Sequence, residues 1–341
     1  MTSRDRLAEL TLAEGDFEIA DFRFRTGGEL PTLRLHYRTY GEPRRGDDGK
    51  VCNAVLLMHG TGGSGAQFVR DEFAGELFSR GGLLDAREHY IILPDGIGHG
   101  ESSKPSDGLR AAFPRYGYRD MVTAHYRLLT EGLRVDHLRL VMGTSMGGMQ
   151  TWLWGETWPD FMDALMPLAS LPTQISGRNR MWRRILIDAI RYDPEWRDGN
   201  YAVQPQSLRT AIGFLLLMSS NPVLRQQEMP TLADTDVAFD AAVQERMAIT
   251  DANDMLYQVE ASFDYDPGPG LETIRAPLVA VNSADDLINP PELGILEREI
   301  TRVSQGKAIT IPLGPETRGH GTHTLAAVWS EHLEALLLAT R

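Results

Sequence analysis

Alternating apolar and polar positions mark the first part of the chain. Residues 16–25 and 33–40 follow this pattern, with Phe17 and Ile19 as apolar members of the first segment. A period of two residues is typical of strands buried on one face. The dipeptide Gly27-Gly28 between the segments indicates a turn. We therefore expect an antiparallel hairpin at the edge of a sheet.

The pattern changes after the hairpin to short, nearly continuous apolar runs bounded by Gly, Pro or Asp. Such runs suit strands that are buried on both faces, as in a parallel sheet covered by helices. They occupy residues 54–58, 90–93, 138–142, 164–168, 277–281 and 308–311. Helical patterns such as 121–133 and 324–338 lie between or after them. The alternation predicts the α/β class with a mostly parallel, doubly wound sheet.

Residues 172–270 interrupt this alternation. Helical segments at 180–192, 207–219 and 237–249 follow one another without a clear strand between them. We interpret this region as a helical lid inserted into the sheet domain. The predicted organisation is a first core part at residues 1–171, a lid at 172–270 and a second core part at 271–341.

Composition and charge narrow the class of protein. The chain has 341 residues, of which 42% are hydrophobic and 24% charged, as in an ordinary globular protein. Its formal net charge of −13 disfavours binding to nucleic acid or to anionic lipid, which both need a basic surface. Cys52 is the single cysteine, so no intrachain disulfide is expected. We find neither a signal peptide nor a membrane-length apolar run, and a cytoplasmic location is expected.

A candidate nucleophile follows the run at 138–142. The sequence there reads Gly143-Thr144-Ser145-Met146-Gly147-Gly148, a G-x-S-x-G motif between a predicted strand and a predicted helix. In that context the serine sits on a strained turn that exposes its hydroxyl, and the glycines remove side chains that would clash. We predict a nucleophile elbow at Ser145; the alternative is a glycine-rich turn with an idle serine.

The serine needs a base and an orienting carboxylate, which follow it in the order acid then histidine when the motif is an elbow of this kind. The predicted strand at 277–281 leads into Asp285 and Asp286, and both qualify as the acid. We predict Asp285, because Leu287 and two prolines after it fit the usual loop. Asp286 is the alternative.

The base is expected among the histidines after the acid. His320 lies between Gly319 and Gly321 after the last predicted strand, where a loop can hold an imidazole over the sheet. We predict His320 as the base, with His323 as the alternative. His332 falls on the core face of the last predicted helix, which favours a packing role. The predicted catalytic triad is thus Ser145, His320 and Asp285.

A glycine-rich loop at 59–65 follows the first buried strand. In this position such a loop supplies one backbone N–H to a developing oxyanion, and the residue after the nucleophile supplies the other. We predict an oxyanion hole formed by the amides of Thr61 and Met146. A phosphate-binding loop is the rival interpretation, but the motif lacks the lysine that such a loop requires. We expect no cofactor and no metal.

Three stretches resemble the homoserine O-acetyltransferase-like branch of the α/β-hydrolases. They are residues 143–150, 118–122 and 189–201, and the last of these lies inside the predicted lid. The similarity spans residues 16–340 and is weakest over 205–265. The resemblance implies an α/β-hydrolase fold with a helical lid, a Ser–His–Asp triad, a homodimer in many members and no metal.

The chain departs from the transferases of that branch at two places. Its oxyanion loop reads His59-Gly60-Thr61-Gly62, a form common in hydrolases, where the transferases carry His-Ala-Leu-Thr-Gly. Gly321 follows His320, where the transferases carry an aspartate that can pair with an amino-acid ammonium. We therefore predict an acyl hydrolase or esterase acting on a small-molecule ester or thioester.

Two other functions compete with this prediction. An O-acyltransferase would pass the acyl group from an acyl-CoA to an alcohol such as homoserine, and arginines among residues 178–191 offer partners for CoA phosphates. Most of those arginines are expected to form the solvated face of a lid helix. A non-catalytic binding protein on the same fold is disfavoured by the complete set of nucleophile, acid, base and donor loop.

Overall fold

The computed structural model describes residues 10–340, and these contain one eight-stranded sheet. The strand order across the sheet is β1-β2-β4-β3-β5-β6-β7-β8. The strands are β1 (Leu12–Arg23), β2 (Glu29–Tyr40), β3 (Ala54–Met58), β4 (Tyr90–Pro94), β5 (Leu140–Thr144), β6 (Leu165–Leu168), β7 (Leu278–Ser283) and β8 (Gly306–Ile311).

Strand directions confirm the predicted fold class. β1 pairs antiparallel with β2, β2 pairs antiparallel with β4, and the pairs from β4 through β3, β5, β6 and β7 to β8 are parallel. The hairpin lies at one edge, where Ile19 faces Leu33 across the ladder and both side chains are fully buried. Its first strand begins at Leu12, four positions before the predicted start at residue 16.

Helices connect and cover the strands. They are α1 (Tyr118–Arg127), α2 (Met146–Thr157), α3 (Gly177–Arg191), α4 (Ser207–Ser219), α5 (Pro222–Glu228), α6 (Leu232–Met247), α7 (Ala252–Glu260), α8 (Ile295–Glu299) and α9 (Ala326–Ala339). Among residues 10–340, no helix is long and apolar enough to cross a membrane.

Two apolar cores lie on opposite faces of the sheet. Successive residues of a strand point to opposite faces, and in β3 Leu56 joins one core while Leu57 joins the other. The first core contains Trp152 of α2, and the second contains Trp329 of α9. Both tryptophans are almost fully buried against the sheet. Because helices thus cover both faces, every residue of a central strand is buried, and the strands are continuous apolar runs in the sequence.

Helices α3, α4, α6 and α7, which lie between β6 and β7 in the sequence, form a third apolar cluster. Leu186 of α3, Leu208 of α4 and Leu256 of α7 are buried together there, apart from the two cores of the sheet. This helical region is tied to the loop before α1, because the Asp254 carboxylate accepts hydrogen bonds from the amide (2.8 Å) and hydroxyl (2.6 Å) of Ser106. The helices lie within the segment predicted as a lid; the exact lid boundaries remain a prediction.

Candidate active site

The carboxyl ends of the parallel strands meet at one edge of the sheet. Ser145 follows β5, Asp286 lies in the loop after β7, and His320 lies after β8. Segments far apart in sequence therefore deliver a hydroxyl, a carboxylate and an imidazole to the same place, as is usual for sites in open α/β sheets.

Ser145 adopts a strained backbone conformation with φ 54° and ψ −110°. A positive φ is rare for a residue with a side chain, and here the surroundings enforce it. The Ser145 amide donates to the Leu168 carbonyl oxygen at 2.9 Å. A β-carbon on Gly147 would lie 1.9 Å from the Met58 carbonyl oxygen, and one on Gly143 would lie 2.1 Å from the Gly147 carbonyl oxygen. Only glycine fits at both positions, so the motif is a requirement of this turn.

His320 links the serine to a carboxylate. Its Nε2 lies 2.8 Å from Ser145 Oγ, and its Nδ1 lies 2.8 Å from Asp286 Oδ2. An ionised carboxylate can only accept, so the Nδ1 proton is donated to Asp286, which leaves Nε2 free to accept the serine proton. The structure thus brings together Ser145 and His320, the predicted nucleophile and base.

Asp286 is held in an ionised state by its surroundings. Its side chain is almost fully buried, and its Oδ1 accepts the amides of Ile288 (2.8 Å) and Asn289 (3.2 Å). The Asn289 side-chain amide donates to Oδ2 at 3.1 Å. Burial by itself raises the pKa of Asp286, but the neighbouring His320 and the amide donors outweigh it and bring the pKa below its ordinary value.

The prediction of Asp285 as the partner of His320 is wrong in this structure, and the neighbouring carboxylate takes that place. The Asp286 amide donates to the Ser283 carbonyl oxygen at 3.1 Å, a turn that directs Asp286 toward the histidine. The Asp285 carboxylate instead accepts hydrogen bonds from Asn221, from the Ser283 hydroxyl and from the Gly319 amide (2.9 Å). Asp285 therefore joins the helical region between β6 and β7 to the loop that carries His320.

Both residues predicted to line the oxyanion hole lie beside the serine. Met146 is the first residue of α2, where backbone amides have no acceptor inside the helix. Thr61 lies in a turn closed by a hydrogen bond from the Gly63 amide to the Gly60 carbonyl oxygen (3.1 Å). A β-carbon on Gly60 would lie 3.5 Å from the Ser145 β-carbon, so this loop runs directly past the elbow.

The sequence was compared with models of known protein families, and one family matches most of the chain. The model of the alpha/beta hydrolase fold family matches residues 53–302. The chain belongs to the α/β-hydrolases.

Relatives of this α/β-hydrolase confirm its resemblance to the homoserine O-acetyltransferase-like branch. A probable acyltransferase of Methanothermobacter thermautotrophicus is 30% identical over 280 residues, which cover 81% of this chain and 84% of that protein. A homoserine O-acetyltransferase of Chlorobaculum parvum is 29% identical over 312 residues, covering 85% and 84% of the two chains.

Solved structures show the same fold. Esterase E22 superposes with a TM-score of 0.82 at 19% identity, covering 96% of this chain and 100% of that one. Homoserine O-acetyltransferase from Bacillus anthracis gives a TM-score of 0.82 at 18% identity, covering 96% and 97%. Chains with both kinds of name therefore share the architecture of this α/β-hydrolase, which is an enzyme of that family.

A second group of histidines is buried beside the glycine-rich loop that follows β3. The rings of His59 and His99 lie 4.9 Å apart, and His125 is 2% exposed. His59 is fixed as a neutral tautomer, since its Nδ1 donates to the Gly60 carbonyl oxygen and its Nε2 accepts the Gly96 amide, both at 2.9 Å. Burial lowers the pKa of all three, with that of His125 lowered to about 3.

His323, the alternative base, lies beside His320, and it is His320 that contacts the Ser145 hydroxyl. Its ring packs edge-on against His320, with centroids 5.3 Å apart, and its buried Nδ1 has no hydrogen-bond partner among the described residues. Burial, with the neighbouring His320, lowers the pKa of His323 to about 3. An imidazole with that pKa is a poor proton acceptor at neutral pH.

Three of the arginines of α3 differ in their exposure and in their partners. Arg184 and Arg191 are exposed and form ion pairs with Asp188 (3.2 Å) and Glu260 (2.5 Å). Arg183 is 2% exposed and instead donates to the uncharged side chains of Asn179 and Ser262. The exposed Arg184 and Arg191 agree with the prediction that these arginines form the solvated face of a helix, whereas the buried Arg183 does not.

Sequence reasoning missed two amide side chains that support the site. Asn289 donates to Asp286 Oδ2 and to the Ala169 carbonyl oxygen (2.9 Å), which ties the acid to the loop after β6. Gln67 donates to the Thr144 hydroxyl and accepts the Gly60 amide. Neither residue belongs to a motif, and a single polar residue near a loop carries no signal of its role.

Proposed function

We propose that this α/β-hydrolase is a serine-dependent acyl hydrolase that forms an acyl-enzyme on Ser145 and passes the acyl group to water. The observation that carries the proposal is the continuous hydrogen-bonded series from Ser145 through His320 to Asp286, with both distances at 2.8 Å. This geometry supplies a nucleophile, a base and an oriented carboxylate, which are the parts that acyl transfer needs.

Acylation begins when Ser145 Oγ attacks the carbonyl carbon of an ester. His320 Nε2 takes the hydroxyl proton, and the resulting imidazolium is stabilised through Nδ1–H by the ionised Asp286. The carbonyl oxygen becomes an oxyanion, which accepts hydrogen bonds from the amides of Thr61 and Met146. The carbon–oxygen bond to the leaving alcohol then breaks, and His320 returns the proton to that alcohol.

Deacylation repeats the same steps with water as the nucleophile. His320 removes a proton from water, and the hydroxide oxygen bonds to the acyl carbon. The bond to Ser145 Oγ then breaks, and the serine regains its proton from the imidazolium. The products are a carboxylic acid and the free enzyme.

Water is favoured over an amino-acid alcohol by the surroundings of His320. The next residue, Gly321, has no side chain with which to bind an ammonium group. The nearby Asp285 carboxylate already accepts hydrogen bonds from Asn221, Ser283 and Gly319. Losing a charge-assisted hydrogen bond costs roughly 1.5–3 kcal/mol, or about 10- to 150-fold in binding.

An O-acyltransferase is the second candidate, and a specific observation favours it. Two relatives that cover more than four-fifths of the chain are named a probable acyltransferase and a homoserine O-acetyltransferase. Such an enzyme would use the same acyl-enzyme, taken from an acyl-CoA, and would release the acyl group to an alcohol. The two candidates differ in the acceptor and in how well the lid excludes water.

The partitioning of the acyl-enzyme distinguishes the candidates. The enzyme is incubated with acetyl-CoA or a short-chain p-nitrophenyl ester, with and without millimolar homoserine, and the products are quantified by mass spectrometry. We expect most acetyl groups to appear as free acetate. Most acetyl groups on homoserine would overturn the hydrolase proposal and establish the transferase.

A further inference from the structure

The two amides proposed for the oxyanion hole come from different segments of the chain. Thr61 belongs to the loop after β3, whereas Met146 begins α2. Donors stabilise an oxyanion only when both point at the same position, so their separation has to be fixed within about 0.5 Å. Some contact must therefore hold the loop at a set distance from the elbow.

One side chain joins these segments. Gln67 Oε1 accepts the Gly60 amide at 3.0 Å, and Gln67 Nε2 donates to Thr144 Oγ1 at 2.7 Å. Gly60 precedes Thr61, and Thr144 lies two residues before Met146. A backbone amide can only donate, so the oxygen of Gln67 must face Gly60 and its nitrogen must face Thr144. Both ends of the glutamine are thus committed.

The base of this side chain is itself held firmly. Gln67 lies in the helical turn Gly65–Phe68, and Phe68 is 1% exposed in an apolar core. The Gly65 amide donates to Asp95 Oδ1 at 2.7 Å, and Asp95 also pairs with Arg38 at 3.0 Å. The glutamine therefore acts from a rigid support, and the buried Thr144 gives it a fixed target.

We propose that Gln67 is a positioning residue that sets the separation of the Thr61 and Met146 amides by bridging Gly60 and Thr144. This inference rests on the proposed acyl-enzyme at Ser145. Gln67 acts through its neighbours on the developing oxyanion, and it does not contact the substrate. Its removal should weaken binding of the transition state more than binding of the substrate.

The test compares Gln67→Met, Thr144→Val and the double variant. Methionine keeps the length of the side chain but removes both hydrogen bonds. We expect Gln67→Met to lower kcat by about ten- to a hundredfold, less than the 10²–10³ lost with a direct donor, with KM little changed. Thr144→Val removes the hydroxyl that accepts the Gln67 amide and should also lower kcat. Because both act through one bridge, the double variant should lose no more than Gln67→Met alone.

Inhibition by a trifluoromethyl ketone distinguishes a positioning role of Gln67 from a general effect on stability. Its tetrahedral adduct on Ser145 carries an oxyanion, so its Ki should rise in proportion to the fall in kcat/KM while the melting temperature stays near that of the parent. Gln305→Met is the matched control, since the side chain of the exposed Gln305 donates to the Arg275 carbonyl oxygen at 2.9 Å and lies outside the proposed bridge. That variant should retain the parent kcat.

Two results would overturn the inference. One is a kcat for Gln67→Met within twofold of the parent; the other is a Thr144→Val effect that multiplies fully in the double variant. Failure of the proposed function looks different, because then a fluorophosphonate would not label Ser145 in the unmodified enzyme. Labelled, active parent enzyme with an unaffected Gln67→Met variant would reject only the role of Gln67.

Discussion

Two groups of buried histidines flank Ser145 along the edge of the sheet. They differ in the partner of the imidazole, which is a carboxylate in one group and a backbone carbonyl oxygen or nothing described in the other. His320 follows β8 and donates its Nδ1 proton to the buried Asp286 at 2.8 Å. His59 follows β3 and, with His99 and His125, lies buried beside the glycine-rich loop after that strand. His59 and His99 donate their Nδ1 protons to backbone carbonyl oxygens, and neither ring nitrogen of His125 has a partner among the described residues.

The difference gives the physical reason why His320, and not His59, is the proposed base. Burial disfavours the imidazolium, and it lowers the pKa of His59, His99 and His125 even though Asp95 partly opposes it at His59. A carbonyl oxygen orients a ring but carries too little charge to offset that cost. An ionised carboxylate that is itself held by amides, as Asp286 is by Ile288 and Asn289, can stabilise the charged ring.

The largest expected difference is in kcat, between a variant that lacks His320 and one that lacks His323. His320→Ala should lower kcat by about a millionfold, the loss found when the triad histidine of a serine protease is removed. His323→Ala should stay within about tenfold of the parent, because that ring lies beside His320 and not at Ser145.

Steady-state kinetics with a short-chain p-nitrophenyl ester measure both variants, and circular dichroism checks that each is folded. Ser145→Ala provides the reference, since it should match His320→Ala if the residues act as a unit. Comparable activity in His320→Ala and the parent, with collapse in His323→Ala, would transfer the role of the base to His323.

His125 gives a smaller effect, on stability instead of rate. Burial lowers its pKa to about 3, whereas an unfolded histidine titrates near 6.5. Between these values the unfolded chain binds a proton that the folded chain does not, so stability falls as the pH falls from about 6.5 toward 3. At pH 5 the loss from this residue should be about 2 kcal/mol.

Urea unfolding at pH 7.5 and pH 5.0 measures this loss in the parent and in His125→Leu. The apolar variant removes the group without breaking a described hydrogen bond of its side chain. It also removes the repulsion that His125 exerts on His99, a minor effect beside the burial that lowers the pKa of both rings. The free energy of unfolding should therefore drop by about 2 kcal/mol less in His125→Leu. Equal drops in the two proteins would show that His125 is accessible to protons in the folded state.

The comparison also shows which features a sequence can reveal. The runs at 54–58 and 308–311 predicted strands because burial on both faces leaves an unbroken apolar pattern, as Leu56 and Leu57 in opposite cores illustrate. The elbow at Ser145 could be predicted because its glycines have no sterically possible substitute. Such features depend on local chemistry, which the sequence states directly.

Other features depend on the direction of a side chain after a turn. Asp285 and Asp286 are identical in type and adjacent, and after the turn from Ser283 it is Asp286 that faces His320. The role of Gln67 likewise depends on two partners, Gly60 and Thr144, that are distant in sequence. No periodicity or motif encodes such contacts, so they require the folded structure.

The pair Asp286→Asn and Asp285→Asn tests the central claim most directly, namely that Asp286 is the carboxylate that serves His320. We expect Asp286→Asn to lower kcat/KM for a short-chain p-nitrophenyl ester by about ten-thousandfold, as the same change does in a chymotrypsin-type protease. Asp285→Asn should lose less than about tenfold, because an asparagine oxygen can still accept the Gly319 amide. Collapse of activity in Asp285→Asn together with near-normal activity in Asp286→Asn would contradict the account.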